Sequence, residues 1–215
     1  MKNKHQVHNL IILDESGSMD TIKKMIIEGF NELVQTIRGT EKQFPDQEHL
    51  ITLVSFNGLR QKVHHFAEPV SKINELHEDS YNPDASTPLY DAIGFSVNKL
   101  KTVLHDNYNV IVNILTDGAE NASKEYSGQH IKKLIEELKQ NNWTFNYIGT
   151  GHDVNYSASA ISINNTFVFK KNSDDIRNSF HRMGRINLEV SNAINLNKDV
   201  ADLDFSEKPD DSDKA

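Results

Sequence analysis

The chain has no cysteine. A disulfide framework, a thiolate metal site and a cysteine nucleophile are all excluded by that one absence. Long apolar runs are missing as well. The first hydrophobic stretch, Leu10 to Leu13, stops at Asp14. It falls far short of the ~18 residues of a membrane span, and it is shorter than the apolar segment of a secretory signal. Positive charge is scarce: 23 Lys and Arg stand against 31 Asp and Glu, a formal net charge of -8. Nucleic acid and anionic lipid both require a basic surface, so neither nucleic acid nor a membrane is expected as a partner. Together these absences lead to the expectation of a soluble, cytoplasmic protein.

No His-Glu-x-x-His pattern occurs among the ten histidines. His5 and His8 lie close in sequence and His64 and His65 are neighbours, but adjacent strand residues point to opposite faces. The histidines therefore read as surface or ordinary core residues. Gly149-Thr150-Gly151 lacks the third glycine of a dinucleotide fingerprint and is not in the first strand–helix unit, so it reads as a turn.

What remains is a regular alternation of apolar runs and amphipathic stretches. Strands are expected at Val7–Leu13, Leu50–Phe56, Gln61–Phe66, Asn109–Leu115, Thr144–Ile148 and Thr166–Phe169. Helical periodicity covers residues 20 to 38, with Ile22, Ile26, Phe30, Leu33 and Ile37 on one face and Gly29 among them for close packing on the sheet. A second helix opens at Pro88 with the stripe Leu89, Ile93, Val97, Leu100 and Leu104. Others cover 128 to 140, about 153 to 160, and a final one starting at Ser173, which is placed to cap it. Residues 70 to 82 carry no clear signal. Asn57-Gly58 marks a hairpin.

This order predicts an α/β, doubly wound fold. The sheet is six-stranded and mostly parallel with one antiparallel edge strand, and helices cover both faces. One domain is expected over residues 1 to 198. Residues 199 to 215 are acid-rich and poor in large apolar side chains, so a disordered tail is expected there.

Three polar loops fall at the C-terminal ends of strands, where open α/β sheets bind ligands. The first is Asp14-Glu15-Ser16-Gly17-Ser18-Met19. The second carries Thr87, and the third is Thr116-Asp117-Gly118. Asp14, Ser16, Ser18, Thr87 and Asp117 offer two carboxylates and three hydroxyls. Hard oxygen donors of this kind suit Mg²⁺, with Mn²⁺ or Ca²⁺ as alternatives. Each loop also has a plainer reading: Ser18 or Asp20 as a helix cap, Thr87 as the cap before Pro88, Asp117-Gly118 as a turn pair. Asp91, Glu120 and Asp84 are weaker candidates, Glu120 reading as a solvated loop residue.

Asp14-x-Ser16-x-Ser18, then Thr87, then Asp117-Gly118 resembles the metal-ion-dependent adhesion site of the von Willebrand factor A (vWA) family. Leu13–Met19, Ser86–Gly94 and Leu115–Asn121 resemble in particular a compact, stand-alone branch found in bacteria and phages. The resemblance extends over residues 7 to 195. It implies that Ser16 and Ser18 bind the metal directly, Thr87 directly or through water, and Asp14 and Asp117 often through water. It further implies a non-enzymatic protein-binding module whose metal takes a Glu or Asp carboxylate of a partner. Glu15 adds a charge beside this site. Two other functions fit an aspartate after the first strand: a metal-dependent phosphoesterase or phosphotransferase, and a structural scaffold with an empty site. The hydrolase reading lacks the usual second carboxylate, since Ser16 stands two residues after Asp14, and none of the three loops offers a well-placed lysine.

Overall fold

The computed structural model describes residues 4–151, 153–203 and 205. Strands β1 (His5–Asp14), β2 (Gln47–Asn57), β3 (Arg60–Pro69), β4 (Tyr108–Leu115), β5 (Trp143–Gly149) and β6 (Asn165–Val168) alternate with helices. The helices are α1 (Lys23–Gln43), α2 (Leu89–Lys101), α3 (Gly128–Lys139), α4 (Val154–Ala160) and α5 (Ser173–Asn195). The strands form one sheet in the order β3-β2-β1-β4-β5-β6. All neighbours run parallel except β2 and β3, which pair antiparallel at the edge. The doubly wound architecture is therefore the expected one.

Strand order reverses between β1 and β4. After β1 the chain winds outward to β2 and β3; after α2 it returns to the other side of β1. The loops that leave β1 and β4 consequently flank the crevice at the reversal.

Two cores sandwich the sheet, and the strand period of two sorts side chains between them. Val7, Ile11, Leu13, Ile111 and Leu115 face α1 and α5, whereas Leu10, Ile12, Val110, Val112 and Ile114 face α2, α3 and α4. Both β1 and β4 bury apolar residues on both faces, which explains their continuous hydrophobic runs.

Gly29 serves a different contact from the one its place on the apolar stripe predicts. It packs on α5, not on the sheet: a Cβ at this position would lie 2.1 Å from Cδ2 of Phe180. A Cβ on Gly184 would likewise lie 2.8 Å from Cγ2 of Thr36 in the same interface. Four further expectations are corrected. The first helical segment begins as a 3₁₀ turn at Gly17–Ile22 before α1 proper. Helix α2 ends at Lys101, so Leu104 packs on the second core from the following loop. The cap of α5 is Asn172, whose side chain accepts from the Asp175 N–H, and not Ser173. Finally, Val200 and Phe205 are buried in the core shared with α5, with Leu203 packed against it, because apolar residues are interspersed among the acids of this segment. The expected boundary at 198/199 thus lies inside packed structure, and the rest of the expected tail, 206 to 215, lies outside the described residues.

Residues 70 to 82, which lack periodicity, form a 3₁₀ turn at Val70–Lys72 and then an irregular connection. Side chains of α1 hold it. Asn31 pairs with both the N–H and the carbonyl of Leu76, and Arg38 donates to the carbonyls of Val70 and Ile73. Val70, Ile73, Leu76 and Tyr81 are buried along the way.

A polar seam lies under α5. His49 is fully buried, accepts from Asn187 at Nδ1 and contacts the Ser191 hydroxyl through Nε2. Burial, reinforced by the nearby His5, pulls its pKa from 6.5 down to about 4. Burial and then His105 do the same to His8.

Two predictions follow from these contacts. Gly29→Ala should cost about 2 kcal/mol in urea denaturation through overpacking, and Phe180→Leu in the same chain should recover part of that loss. For the histidines, the folded-state pKa lies below the unfolded one, so the unfolded chain binds more protons between these values. Their stabilising contribution is complete above about pH 6.5 and is lost as pH falls toward about 4, on the order of 3 kcal/mol per buried imidazole. The midpoint of thermal unfolding should therefore drop across this window, with a shallower slope in His49→Gln.

Candidate metal centre

Asp14 ends β1 with a fully buried side chain. Its Oδ1 accepts the Ser16 N–H at 2.8 Å and its Oδ2 accepts the Thr116 hydroxyl at 2.6 Å. The Asp14 carbonyl accepts the hydroxyl of Tyr81. Burial raises the Asp14 pKa from 3.8 to about 6; the Thr116 and Ser16 hydrogen bonds pull against that rise, and the Asp117 carboxylate adds to it. Tyr81 is held well above its ordinary value by burial and by the carboxylates of Asp14, Glu15 and Asp117. Its hydroxyl thus keeps its proton as a donor.

The first loop then sends its side chains alternately to two sides. Ser16 Oγ and Ser18 Oγ lie 3.2 Å apart, and Ser18 Oγ donates to Asp117 Oδ1 at 2.5 Å. Glu15, between Asp14 and Ser16, turns away. It is fully buried and accepts from the Ser55 hydroxyl and the Asn82 N–H, with Arg60 4.0 Å from it. The charge expected beside the site is therefore spent on anchoring the loop below it. Backbone bonds from Gly17 to Ala85 and from Asp84 to Glu15 tie the first loop to the second. Asp84 accepts the next backbone N–H with its side chain, and takes no place among the five.

Thr87 is buried; the N-cap residue of α2 is Pro88, and no side-chain hydrogen bond caps the helix from that position. The capping is done from the third loop. Glu120 accepts the N–H of Tyr90, and Ser123 Oγ accepts that of Asp91. Asn121 accepts the Thr87 N–H on its side chain and donates its own N–H to the Thr87 carbonyl. The Thr87 hydroxyl is thereby left for another use. It faces the residue after Asp117, since a Cβ on Gly118 would lie 3.3 Å from Thr87 Oγ1. The first turn of the 3₁₀ segment shows no side-chain cap from Ser16 either.

Glu120 is not a solvated loop residue. It also accepts the N–H groups of Ala122 and Ser123 and the Ser123 hydroxyl. Asp91 accepts three backbone N–H groups, from Lys124, Glu125 and Tyr126. Both residues fold the third loop onto α2. Thr150 of the glycine turn donates to the Asp117 carbonyl, so this turn borders the site. The cleft between them is about 140 Å³, below the ~300 Å³ at which small-molecule and cofactor pockets begin.

A residue without any sequence signal completes the centre. Asp117 Oδ2 is buried and receives no well-directed hydrogen bond, but the Lys171 ammonium lies 2.5 Å from it. The same ammonium donates to the Ser18 carbonyl at 3.2 Å. Thr116, Tyr81 and Asn121 also position the site; Thr116 and Asn121 lie in the segment Leu115–Asn121 singled out from the sequence, whereas Tyr81 carries no sequence signal.

Asp14, Ser16, Ser18, Thr87 and Asp117 thus come together at the switch point. Two desolvated carboxylates that repel each other, flanked by three hydroxyls, form an environment suited to a hard cation. Among the described residues no group of three or more His, Asp or Glu side chains offers a competing metal site.

The sequence family described as von Willebrand factor type A domain matches residues 10–182. The chain belongs to this family. No curated protein sequence matches it. Among solved vWA-like folds, it is similar to proximal thread matrix protein 1 of the mussel byssus (TM-score 0.61, 14% identity, 86% of this chain and 47% of that one). It is also similar to the PilB minor pilin of Streptococcus sanguinis (0.59, 14%, 97% and 64%) and the pilus adhesin SpaC of Lactobacillus rhamnosus GG (0.66, 10%, 88% and 31%). At these identities the likeness shows the fold. The vWA chain spans about half the length of the mussel protein and under two thirds of PilB. Another structure of the mussel protein has zinc in its metal-ion-dependent adhesion site.

The capping pattern yields a test of its own. Glu120→Ala should cost about 2 kcal/mol in urea denaturation, because it leaves part-buried N–H groups of α2 and the third loop without an acceptor. An exposed glutamate such as Glu28 replaced in the same way should cost less than about 0.5 kcal/mol.

Proposed function

We propose that this vWA domain is a divalent-metal-dependent protein-binding module. Asp14, Ser16, Ser18, Thr87 and Asp117 would hold one Mg²⁺, with Mn²⁺ or Ca²⁺ as alternatives, and the partner would present a Glu or Asp carboxylate. The observation that carries this reading is the relay from Ser16 Oγ to Ser18 Oγ to Asp117, with the Thr87 hydroxyl released from capping duty. The zinc-bearing site of the mussel relative supports a divalent ion at this position.

When bound, such an ion would supply a hard Lewis acid with only two nearby carboxylates to quench its charge, which favours an anionic oxygen from outside. The chain's own residues do the rest. Thr116 and the Ser16 N–H fix both oxygens of Asp14, Tyr81 and the Asp84–Glu15 bond fix the backbone around it, and Asn121 fixes Thr87.

Calorimetric titration should give one Mn²⁺ or Mg²⁺ per chain, with affinity at least about tenfold lower in Ser18→Ala and Asp14→Asn. Peptides bearing a single Glu should be retained by the immobilised domain in Mg²⁺ and released by a chelator, whereas their Gln counterparts pass through. Metal uptake without any preference for Glu over Gln would overturn the partner assignment; no uptake at all would overturn the metal assignment.

A further inference from the structure

We propose that Lys171 is a tethered cation that competes with the metal ion for Asp117, an inference that rests on the metal reading of this site. Lys171 lies in the short connection between β6 and α5, where no motif marks it. Its backbone is pinned on either side. The Lys170 N–H donates to Asp175 Oδ2, the Asn172 N–H donates to the Lys170 carbonyl, and the Asn172 side chain accepts from the Asp175 N–H. From this fixed base the side chain crosses to loops far away in sequence. Its ammonium meets Asp117 Oδ2 at 2.5 Å and the Ser18 carbonyl at 3.2 Å.

Both contacts fall on segments that supply the metal's donors. The contacted carboxylate is fully shielded from water, while the lysine side chain is 38% exposed. The buried partner therefore depends on a positive charge close by, and the exposed partner is free to leave. A divalent ion drawing on Asp117 would share that carboxylate with the ammonium. Like charges drawn to one carboxylate repel, so loading the site would swing Lys171 outward into solvent. Its single charge neutralises Asp117 until then and keeps the first and third loops together. Each loading event must break the Lys171–Asp117 pair, which lowers the affinity for the metal by the strength of that pair.

Mn²⁺, followed by the paramagnetic signal of the free ion, is the probe. Lys171→Gln should bind it about five- to tenfold more tightly than the wild type, corresponding to a half-exposed ion pair of near 1 kcal/mol. Lys171→Arg, which keeps the charge, should stay close to the wild type. The gap between Gln and wild type should narrow in high salt, because the competing pair reaches solvent. Urea denaturation should converge: Lys171→Gln less stable than wild type in chelator, and equal to it in saturating Mn²⁺, where the pair is absent from both. Equal or weaker Mn²⁺ binding by Lys171→Gln, with the wild type binding normally, would overturn the competition and leave the metal site standing. Absence of binding in every chain would remove the metal site, and the competition with it.

Discussion

Two acidic side chains, Asp14 and Asp117, follow from neighbouring parallel strands and are buried in the same corner of the sheet. Carboxylates stripped of water next to one another are costly, and the neighbourhood is organised around that cost. Thr116 and the Ser16 N–H satisfy Asp14, Ser18 satisfies one oxygen of Asp117, and the Lys171 ammonium stands against the other. Even the second buried acid of the first loop, Glu15, is turned into a fastener for Asn82 and Ser55, away from the pair. Charge, not shape, sets the architecture of this edge.

The sheet makes that corner unavoidable. Because winding reverses between β1 and β4, no helix crosses above their C-terminal ends, and the loops there are open to each other. A third segment must close the corner from the side, and Thr87 does so under the control of Asn121. The caps of α2 come from residues thirty and thirty-two positions further along the chain, so the second and third loops are built as one piece.

Much of this was legible in the chain. The continuous apolar runs of β1 and β4, the hairpin at Asn57-Gly58, and the spacing of Asp14, Ser16 and Ser18 are local patterns, and local patterns survive into the fold. Contacts between distant residues were not legible. Gly29 advertises close packing but not its partner, and only the placement of α5 reveals Phe180. Glu120 reads as a loop acid until the start of α2 is brought beside it. Val200 and Phe205 are outnumbered by acids in a window of sequence, yet each finds an apolar wall. Lys171 and Tyr81 reach the site across 153 and 67 positions, distances at which spacing carries no information.

The irregular stretch from Val70 to Tyr81 has an implication for how this domain can diversify. Asn31 and Arg38 grip its main-chain atoms, and Tyr81 hooks a main-chain carbonyl of β1. Grips on main-chain atoms are indifferent to the side chains they hold. The exposed turn at His77–Asp79 is therefore free to accept new surface chemistry, or extra length, beside an unchanged centre, so that one scaffold can be re-addressed to different targets without being rebuilt.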